Sequence, residues 1–247
     1  MARMRSPARC GESAEPEKGD GMAEIDVGPR QLFVTGGTGY IGGALLPALL
    51  ARGHRIRALV RPGSERKVPA GCEAVVGNAL DAESFAALVP PADTLLHLVG
   101  VSHPSPWKAD QFRAVDLASA LATVAAARAS SVGHLVYLSV AQPAPVMRSY
   151  VAVRGECEAA IRAAGLTATC VRPWYVLGPG HRWAHALAPF YALAERLPAT
   201  RATARRLGLV TLPQMVAALV RAVEEPPAPG TVRLVEVEDI RRASARV

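Results

Sequence analysis

Residues 32–42 read Leu-Phe-Val-Thr-Gly-Gly-Thr-Gly-Tyr-Ile-Gly, and this stretch decides the fold. A short apolar strand, residues 32–34, runs into glycines spaced G-x-x-G-x-x-G at Gly36, Gly39 and Gly42, and an alanine- and leucine-rich helix follows. Glycine is required where a chain turns sharply, where its backbone approaches a pyrophosphate, and where a helix packs closely on a strand. The start of the helix offers unpaired N–H groups and a positive dipole end to phosphates. The stretch therefore predicts a site for the pyrophosphate of a dinucleotide.

The sequence after the turn supports nucleotide binding over a purely structural turn. A tight strand–helix connection needs glycine whether or not a ligand binds, so the glycines alone are weak evidence. Here a second strand, predicted at residues 55–60, closes a βαβ unit of about 30 residues, which is the expected length. This context favours a nucleotide ligand.

The end of the second strand indicates which dinucleotide binds. An acidic residue about 20 positions beyond the glycines would hold the ribose 2′-hydroxyl of NAD, but no Asp or Glu occurs between Gly42 and Ser64. Arg61 follows the strand instead, and a guanidinium there can hold a 2′-phosphate by paired hydrogen bonds. Because ligands bind at the carboxyl ends of the strands, Arg61 is better placed than Arg55 or Arg57, which we expect to be solvated surface charges. We therefore predict NADP as the cofactor, with NAD as the alternative.

The composition predicts one folded domain preceded by a tail. Half of the 247 residues are apolar, which is enough for a good core. Residues 1–29 are rich in Glu, Gly, Pro and Arg and lack apolar periodicity, so we expect a disordered N-terminal tail before a folded domain at residues 30–247. No apolar run suits a signal peptide or a membrane span, so the expected location is cytoplasmic.

Charge and cysteine usage argue against two other classes of protein. The formal charge is +7, but the arginines are scattered and not clustered with aromatic residues, so we do not expect nucleic-acid binding. The four cysteines show neither C-x-x-C pairs nor metal-ligand spacing, so we predict no disulfide scaffold and no metal site. A small-molecule substrate is the expected partner, and the oligomeric state stays open.

Strands and helices alternate along the chain. Apolar runs predict further strands at residues 74–77, 94–99, 134–138, 167–171 and 232–237, and helical patterns occur at residues 81–88, 110–129, 150–164 and 212–224. This alternation predicts an α/β fold of the Rossmann type with a doubly wound parallel sheet. Residues from about 173 to 240 are predicted to form a small C-terminal substrate segment.

Six short motifs follow one another along residues 31–240. They are TGGTGYIG at 35–42, GNALD at 77–81, HLVG at 97–100, LSV at 138–140, Tyr150-x-x-x-Arg154, and RPWYVLGPG at 172–180. In this order the motifs resemble those of the short-chain dehydrogenase/reductase superfamily, in its extended and atypical branches (NmrA-like and epimerase-like). The succession is much more specific than any single motif.

The resemblance implies cofactor contacts residue by residue. The pyrophosphate would lie against the glycine-rich turn, the adenine beside the GNALD motif, the ribose and nicotinamide along the HLVG motif, and the carboxamide in the loop after the sixth strand. In that order the implied residues are Gly36, Thr38, Gly39, Tyr40, Ile41 and Gly42; Asn78, Ala79 and Leu80; Leu98, Val99 and Gly100; and Pro173 and Val176.

The implied catalytic group departs from the family pattern. The family uses a tyrosine as general acid, a lysine four residues later that lowers its pKa, and a serine that polarises the substrate carbonyl. Here Tyr150, Arg154 and Ser139 would take these roles. A guanidinium can stabilise a phenolate, but it is bulkier, planar and always charged, so it does not reproduce the geometry of an ammonium. The alternative is a surface Tyr–Arg pair on an amphipathic helix.

Other candidate residues surround the predicted reaction centre. His97 falls inside an apolar run and is expected to be a packed core residue, whereas His103 lies in a loop and is expected to be solvated, with proton relay as its alternative role. An aromatic and basic stretch follows the sixth strand, where a substrate would enter; it contains Trp174, Tyr175, His181, Arg182, Trp183 and His185.

Three functions therefore stay open. The first is an NADP-dependent oxidoreductase that acts on a small carbonyl, quinone-like or aromatic substrate. The second is a non-catalytic NAD(P)-binding redox sensor or assembly subunit, which the change from lysine to Arg154 would fit. The third is an epimerase or dehydratase that uses the cofactor transiently. The modest size of the segment at 173–240 disfavours bulky sugar-nucleotide substrates.

Overall fold

A sheet of seven parallel strands forms the centre of the computed structural model, which describes residues 28–179 and 198–243. The strands of this chain are β1 (Gln31–Thr35), β2 (Arg55–Val60), β3 (Cys72–Val76), β4 (Thr94–His97), β5 (His134–Leu138), β6 (Ala168–Val171), β7 (Tyr175–Leu177), β8 (Leu209–Thr211) and β9 (Val232–Val235). The central sheet has the order β3-β2-β1-β4-β5-β6-β9, and β7 and β8 form a separate parallel pair.

The helices connect these strands. They are α1 (Tyr40–Ala51), α2 (Ala109–Gln111), α3 (Ala118–Ala129), α4 (Arg148–Ala163), α5 (Pro198–Arg206), α6 (Leu212–Glu224) and α7 (Val237–Ala243). A π-helical stretch, Phe112–Leu117, joins α2 to α3. One-turn 3-10 helices occur at Glu65–Lys67, Ala82–Ser84, Ala86–Leu88 and Pro106–Lys108.

Helices cover both faces of the sheet, so its central strands are buried. Strands β4 and β6 are buried at every residue. Helices α1, α6 and α7 contribute Leu45, Leu219 and Ile240 to one core cluster, whereas Phe112 and Ile161, from the segment 112–117 and from α4, belong to the cluster on the other face. The predicted doubly wound parallel Rossmann-type sheet is confirmed.

The order of the strands determines where the sheet can open a ligand-binding crevice. β1 pairs with β2 on one side and with β4 on the other, and Thr35 at its end aligns with Leu59 and with His97. The sheet grows in one direction from β1 to β3 and in the other from β4 to β6, so the connections diverge between β1 and β4. In doubly wound sheets this divergence opens a ligand-binding crevice at the carboxyl ends of the strands.

Several predicted elements agree with the structure, and one is wrong. Strand 134–138 and helix 212–224 occupy the predicted residues. The predicted helix at 81–88 is instead two 3-10 turns, because Phe85 between them adopts φ −142° and its ring packs in the core, stacked on Phe33. Asp81 still caps the first turn by accepting a hydrogen bond from the N–H of Glu83.

The C-terminal segment contains elements that the sequence pattern did not reveal. Strands β7 and β8 pair in parallel, with Val176 opposite Val210. Thr211 then begins α6 with a capping box, in which its side chain accepts from Gln214 N–H and the Gln214 side chain accepts from Thr211 N–H. Most of the predicted tail at 1–29 lies outside the described residues, and its disorder stays a prediction.

The described ranges, 28–179 and 198–243, contain neither a helix that could cross a membrane nor a cluster of metal-binding side chains. None of the helices there combines the length and the apolar character that crossing a bilayer requires. The same ranges contain no group of three or more His, Cys, Asp or Glu side chains placed to hold a metal ion.

Candidate cofactor and active site

The glycine-rich turn between β1 and α1 presents backbone groups to the crevice. Gly39 is the N-cap of α1 in an extended conformation (φ −78°, ψ 179°), and among the described residues no side chain caps it. Two hydrogen bonds close the turn, from Gly39 N–H to Gly36 O (3.0 Å) and from Gly43 N–H to Gly39 O (2.8 Å). The first turn of α1 contains no acidic residue. A helix start of this kind attracts an anion through its N–H groups and its dipole.

Two glycines of the turn are required by close packing. Gly36 has φ +78°, and a Cβ there would lie 2.7 Å from Leu98 C and 2.8 Å from Val99 N. A Cβ at Gly42 would lie 2.5 Å from Gly37 O. The structure thus brings Gly36 against the segment that follows β4, as a shared cofactor site requires. Around them Thr38, Gly39 and Tyr40 are exposed and Ile41 is half-buried.

Arg61 and the GNALD motif stand at the neighbouring strand ends. Arg61 is exposed directly after β2, and no described residue forms a hydrogen bond or an ion pair with its side chain. Arg57, by contrast, donates to Leu88 O (2.6 Å) and Pro90 O (2.8 Å), so it is a structural residue and not the solvated charge that we expected. Arg55 is exposed too, but at the opposite end of β2, so Arg61 is the arginine of this strand region that is exposed at the carboxyl end.

The GNALD motif, beside which the adenine is predicted to lie, forms a loop held by its own hydrogen bonds. Asn78 N–H donates to Ser84 Oγ (3.0 Å), Ser84 Oγ donates to Asn78 O (2.9 Å), and Leu80 N–H donates to Asn78 Oδ1 (3.1 Å). Ala79 is half-buried, whereas Leu80 and Val76 are 43% and 47% exposed. Exposed apolar side chains at this strand end offer a surface on which a flat base can lie.

The segment after β4 links the nucleotide side to the reaction side. Leu98 N–H donates to Thr35 O (2.9 Å), which continues the β1–β4 ladder, and Val101 N–H donates to Asp116 Oδ2 (3.1 Å). Gly100 lies directly above the ion pair that Arg154 forms with Asp116, because a Cβ at Gly100 would collide with Arg154 Nη2. The implied riboside-lining residues and the implied catalytic helix are therefore in contact.

Tyr150 and Arg154 lie on one face of α4, and the guanidinium of Arg154 lies against Gly100. The guanidinium carbon of Arg154 is 5.2 Å from the centroid of the Tyr150 ring, and this ring also packs against Phe112 at a centroid distance of 4.9 Å. Arg154 is buried, and it donates to Tyr137 Oη (3.1 Å) and Leu138 O (2.8 Å). The pair is therefore an internal one at the cofactor edge and not the surface pair of the alternative hypothesis.

Asp116 completes this arrangement. Its Oδ1 lies 2.5 Å from Arg154 Nη2, and both side chains are buried. Burial raises the pKa of Asp116 and is opposed by Arg154 and by the Val101 N–H. Burial works to lower the pKa of Arg154, but Tyr137, Tyr150 and Asp116 outweigh it and hold that pKa well above its ordinary value, so the guanidinium stays charged.

Ser139 is placed in a second buried network. Its hydroxyl donates to Glu158 Oε1 (2.7 Å), an oxygen that also accepts from Gln142 (2.8 Å) and from Arg172 Nε (2.8 Å). Glu158 Oε2 accepts from Arg162 (2.9 Å). Burial would raise the pKa of Glu158, but Arg172, Ser139 and Arg162 hold it below its ordinary value. The hydroxyl proton of Ser139 is therefore engaged internally, and its catalytic role stays a prediction.

The loop after β6 reaches the same edge of the sheet. Pro173 O accepts a hydrogen bond from Ala141 N–H (2.9 Å), and Val176 lies half-buried in β7. The hydroxyl of Tyr40 lies against Gly178, so the start of α1 contacts this loop. Of the predicted aromatic and basic stretch, Trp174 and Tyr175 are half-buried here, and the part from His181 onward lies outside the described residues.

The two histidines differ as predicted. His97 is fully buried and hydrogen-bonds with Thr35 (2.7 Å), Thr123 (2.8 Å) and Ser119 (3.3 Å). Burial, with the Arg154 cation nearby, lowers the pKa of His97 to about 3, so it is neutral. His103 lies exposed in its loop, where Lys108 donates to its carbonyl oxygen (3.1 Å).

Asp116 and Glu158 are the residues that the sequence patterns missed. Asp116 is the one acidic residue between Gln111 and Ala129, and an isolated charge in an alanine-rich helix is a signal of a buried partner. Glu158 lies four residues from both Arg154 and Arg162, which places the three on one helix face. Neither position in the sequence shows which residues the carboxylates of Asp116 and Glu158 contact in the fold.

The residues at this edge fit a nicotinamide dinucleotide. The turn at Gly36 is too close to its neighbours for any side chain, the start of α1 has no side-chain cap among the described residues, and Arg61 is available for an added phosphate. Gly100 lies against Arg154, and Arg154 lies beside Tyr150, at the edge of the sheet where a nicotinamide would lie.

Comparisons with known proteins also indicate that the chain binds a nicotinamide dinucleotide. A family described as "NAD(P)H-binding" matches residues 36–182. A ceramide reductase of Caulobacter vibrioides is 30% identical over 211 residues, which are 85% of this chain and 64% of that protein. A 4-hydroxy-2-methyl-3-oxo-4-farnesyl-3,4-dihydroquinoline-1-oxide ketoreductase of Stigmatella aurantiaca is 30% identical over 168 residues, 59% of this chain and 50% of that protein. The chain thus spans less than two thirds of the length of either relative.

Solved structures share the fold. The Bordetella bronchiseptica enzyme WbmH, in complex with NAD⁺, superposes with a TM-score of 0.60 at 20% identity, over 80% of this chain and 73% of WbmH. At this identity the likeness concerns the fold alone.

Proposed function

Because the chain belongs to the short-chain dehydrogenase/reductase superfamily and contains its NAD(P)H-binding domain, we propose that it is an NADP-dependent oxidoreductase. Its substrate would be a small carbonyl compound of quinone-like, aromatic or otherwise apolar character. The observation that carries the proposal is the position of Tyr150 beside the buried Arg154 cation, whose guanidinium lies against Gly100 in the segment that follows β4. A nicotinamide would lie at this edge of the sheet.

The residues of the crevice divide the work between binding and proton transfer. The turn at Gly36–Ile41 would hold the pyrophosphate, Arg61 the 2′-phosphate, and Leu98–Gly100 the nicotinamide riboside. When bound, reduced NADP would supply hydride. Tyr150 would donate a proton to the substrate oxygen, and Arg154 would fix the tyrosine ring through its 5.2 Å contact.

Two exposed side chains support an apolar substrate. Trp107 is 91% exposed in the loop after β4, and Val146 is 55% exposed in the loop after β5. Both loops leave the carboxyl edge of the sheet, and the 3-10 turn at Pro106–Lys108 packs near α4, the helix that carries Tyr150. The two relatives are named for a ceramide and for a farnesyl-substituted quinoline oxide, which are also largely apolar compounds.

A turnover assay tests the proposal. The protein is mixed with NADPH or NADH and a series of ketones, quinones and aromatic carbonyl compounds, and cofactor oxidation is followed by absorbance. We expect oxidation with part of the series and a loss of about 100-fold or more in Tyr150→Phe, because the proton donor is removed. Turnover in Tyr150→Phe equal to that of the parent protein would contradict the assignment.

Calorimetric titration tests the cofactor preference separately. We expect NADP to bind more tightly than NAD, and Arg61→Ala to remove about 1 to 2 kcal/mol of that preference, because a charge-assisted contact to the 2′-phosphate is lost. Arg55→Ala is the matched control, since Arg55 is exposed at the opposite end of the same strand. Equal affinities for NADP and NAD in the parent protein would overturn the NADP assignment.

A second function is supported by a different observation. The Ser139 hydroxyl is engaged by Glu158, and the Arg154 guanidinium by Asp116, Tyr137 and Leu138. Side chains held in this way suit a non-catalytic NAD(P)-binding protein, either a redox sensor or an assembly subunit. Tight calorimetric binding of NADP, together with no cofactor oxidation across the substrate series, would favour this function.

A further inference from the structure

One carboxylate bridges the cofactor side and the Tyr150 side of the site. Asp116 Oδ2 accepts from the backbone N–H of Val101 (3.1 Å), and Oδ1 lies 2.5 Å from Arg154 Nη2. The exposed fractions of the Asp116 and Arg154 side chains are 0% and 4%, so water does not screen this pair. Asp116 thus fixes both the start of the loop after Gly100 and the guanidinium beneath it.

The environment of Arg154 determines the charge that Tyr150 experiences. The titratable groups that face the guanidinium come from every element packed around it: Asp116 from the π-helical stretch, His97 from β4, Tyr137 from β5, and Tyr150 and Cys157 from α4. Burial lowers the pKa of His97 to about 3 and raises the pKa values of Tyr137 and Cys157, so these three are uncharged near neutral pH. The charges that remain are Arg154 and Asp116, and they cancel.

An arginine that is paired with a carboxylate affects the ionisation of a neighbouring phenol less than an unpaired arginine does. A single cation within about 4–6 Å of an acidic group favours its ionised form by about 1–3 pH units. Arg154 is at such a distance from the Tyr150 ring, but its counterion lies 2.5 Å away. The pair therefore acts on the phenol as a dipole, whose field falls off faster than that of a charge.

Building on the proposed function, we propose that Asp116 is a positioning residue that holds Arg154 against Tyr150 and balances its charge, so that Tyr150 keeps its proton and serves carbonyl reduction better than alcohol oxidation. In that step the O–H bond of Tyr150 breaks, and the proton goes to the carbonyl oxygen as the carbonyl carbon receives hydride from the reduced nicotinamide. Water then returns a proton to Tyr150. The reverse reaction would need the phenolate, which a balanced Arg154 does not favour.

The test measures Tyr150 ionisation in the protein without cofactor or substrate. Tyrosinate absorbance is recorded against pH for the parent protein and for Asp116→Asn, and the spectrum of the matching Tyr150→Phe variant is subtracted from each. We expect Tyr150 to ionise about one pH unit lower, or more, in Asp116→Asn, because Arg154 is no longer balanced. The double variant Asp116→Asn/Arg154→Gln carries neither charge and should return to the parent titration. Coincident curves for the parent protein and for Asp116→Asn would overturn the proposal.

A second variant covers the case in which Asp116→Asn does not fold. Arg154→Gln leaves the Asp116 carboxylate unbalanced, so Tyr150 should ionise at higher pH than in the parent protein; an unchanged titration would again overturn the proposal. Because these measurements need no turnover, they separate this proposal from the proposed function. In an active protein, the pH at which alcohol oxidation rises should shift downward in Asp116→Asn in parallel with the absorbance, which a purely structural role of Asp116 would not produce.

Discussion

The nucleotide-binding turn and the Tyr150 region lie at the same edge of the sheet, yet they are built from different chemical groups. The turn is made of backbone: Gly36 and Gly42 leave no space for a side chain, and no described side chain caps the helix that follows. The Tyr150 region is made of charged side chains that are buried and engage one another, with Arg154 held by Asp116. The first region offers exposed backbone to a ligand, whereas the charged groups of the second region are paired with each other.

This difference explains why one region keeps the family pattern and the other departs from it. A backbone site tolerates few residue types, because a Cβ at Gly36 would meet Leu98 and Val99 whatever the side chain. A site built from a charge pair can change both partners together, as long as the charges balance and the shapes fit. The Arg154 that replaces the family's lysine is accompanied by a carboxylate 2.5 Å away.

Substitution of Gly36 should have the largest effect. Gly36→Ala places a Cβ at φ +78° and within 2.8 Å of two backbone atoms, which should cost about 4 kcal/mol of unfolding free energy from strain and overpacking combined. Urea denaturation and calorimetric titration with NADP would show the losses of stability and of affinity. The control is Gly43→Ala in the first turn of α1, where a Cβ would meet nothing within 4 Å. A Gly36→Ala protein with parent affinity would refute the backbone account of the turn.

Substitution of Glu158 tests the contribution of the buried charged side chains to stability. Glu158→Gln removes the buried anion of Arg172 and leaves it only the more exposed Glu236, so we expect a loss of about 2 kcal/mol in urea denaturation. The folded-state pKa of Glu158 is lowered, so its stabilising contribution is present above the unfolded value and is lost as pH falls through the folded one. The stability of the variant should therefore fall less steeply below about pH 4. Equal slopes for the two proteins would contradict this.

The fold and the turn were accessible from sequence because their signals are local. The glycine spacing at 36–42, the apolar run of β5 and the helical pattern of α6 each lie within one continuous stretch of chain. The failure at residues 81–88 has a tertiary cause, since Phe85 leaves the helical conformation while its ring packs on Phe33. Local propensity does not contain that contact.

The partners in the reaction region were not accessible in the same way. Asp116 and Arg154 are 38 positions apart, and Ser139 meets a carboxylate 19 positions away. The motif Tyr150-x-x-x-Arg154 located the helix correctly, but nothing in its spacing shows that the guanidinium is already bound by an anion. Charge compensation between distant elements becomes visible only when the sheet order brings the helices together.

The stability at mildly acidic pH should depend on His97, which touches both regions. Its pKa is lowered to about 3 by burial, so between about pH 6.5 and 3 the unfolded chain binds a proton that the folded one does not. Stability should fall as pH falls through this window, by up to about 1.4 kcal/mol per pH unit. His97→Gln should remove this part of the slope and keep the part from His134, whose pKa burial lowers to about 4. An unchanged slope in His97→Gln would show that His97 is not the group responsible.

The smallest effect is expected from an ion pair that joins the same two elements as Asp116 and Arg154. Arg113 donates to both carboxylate oxygens of Glu156 (2.9 and 3.1 Å), but the two side chains are 61% and 46% exposed. Water screens such a pair and both side chains lose rotamer freedom in forming it, so Glu156→Gln should leave the melting temperature and the affinity for NADP as in the parent protein. Asp116→Asn, at most one helical turn away in the same interface, should lower the melting temperature clearly, because a charge is left unbalanced in a dry site. If both substitutions lowered it equally, burial would not be what distinguishes the two pairs, and the contrast between an open turn and a compensated reaction region would lose its physical basis.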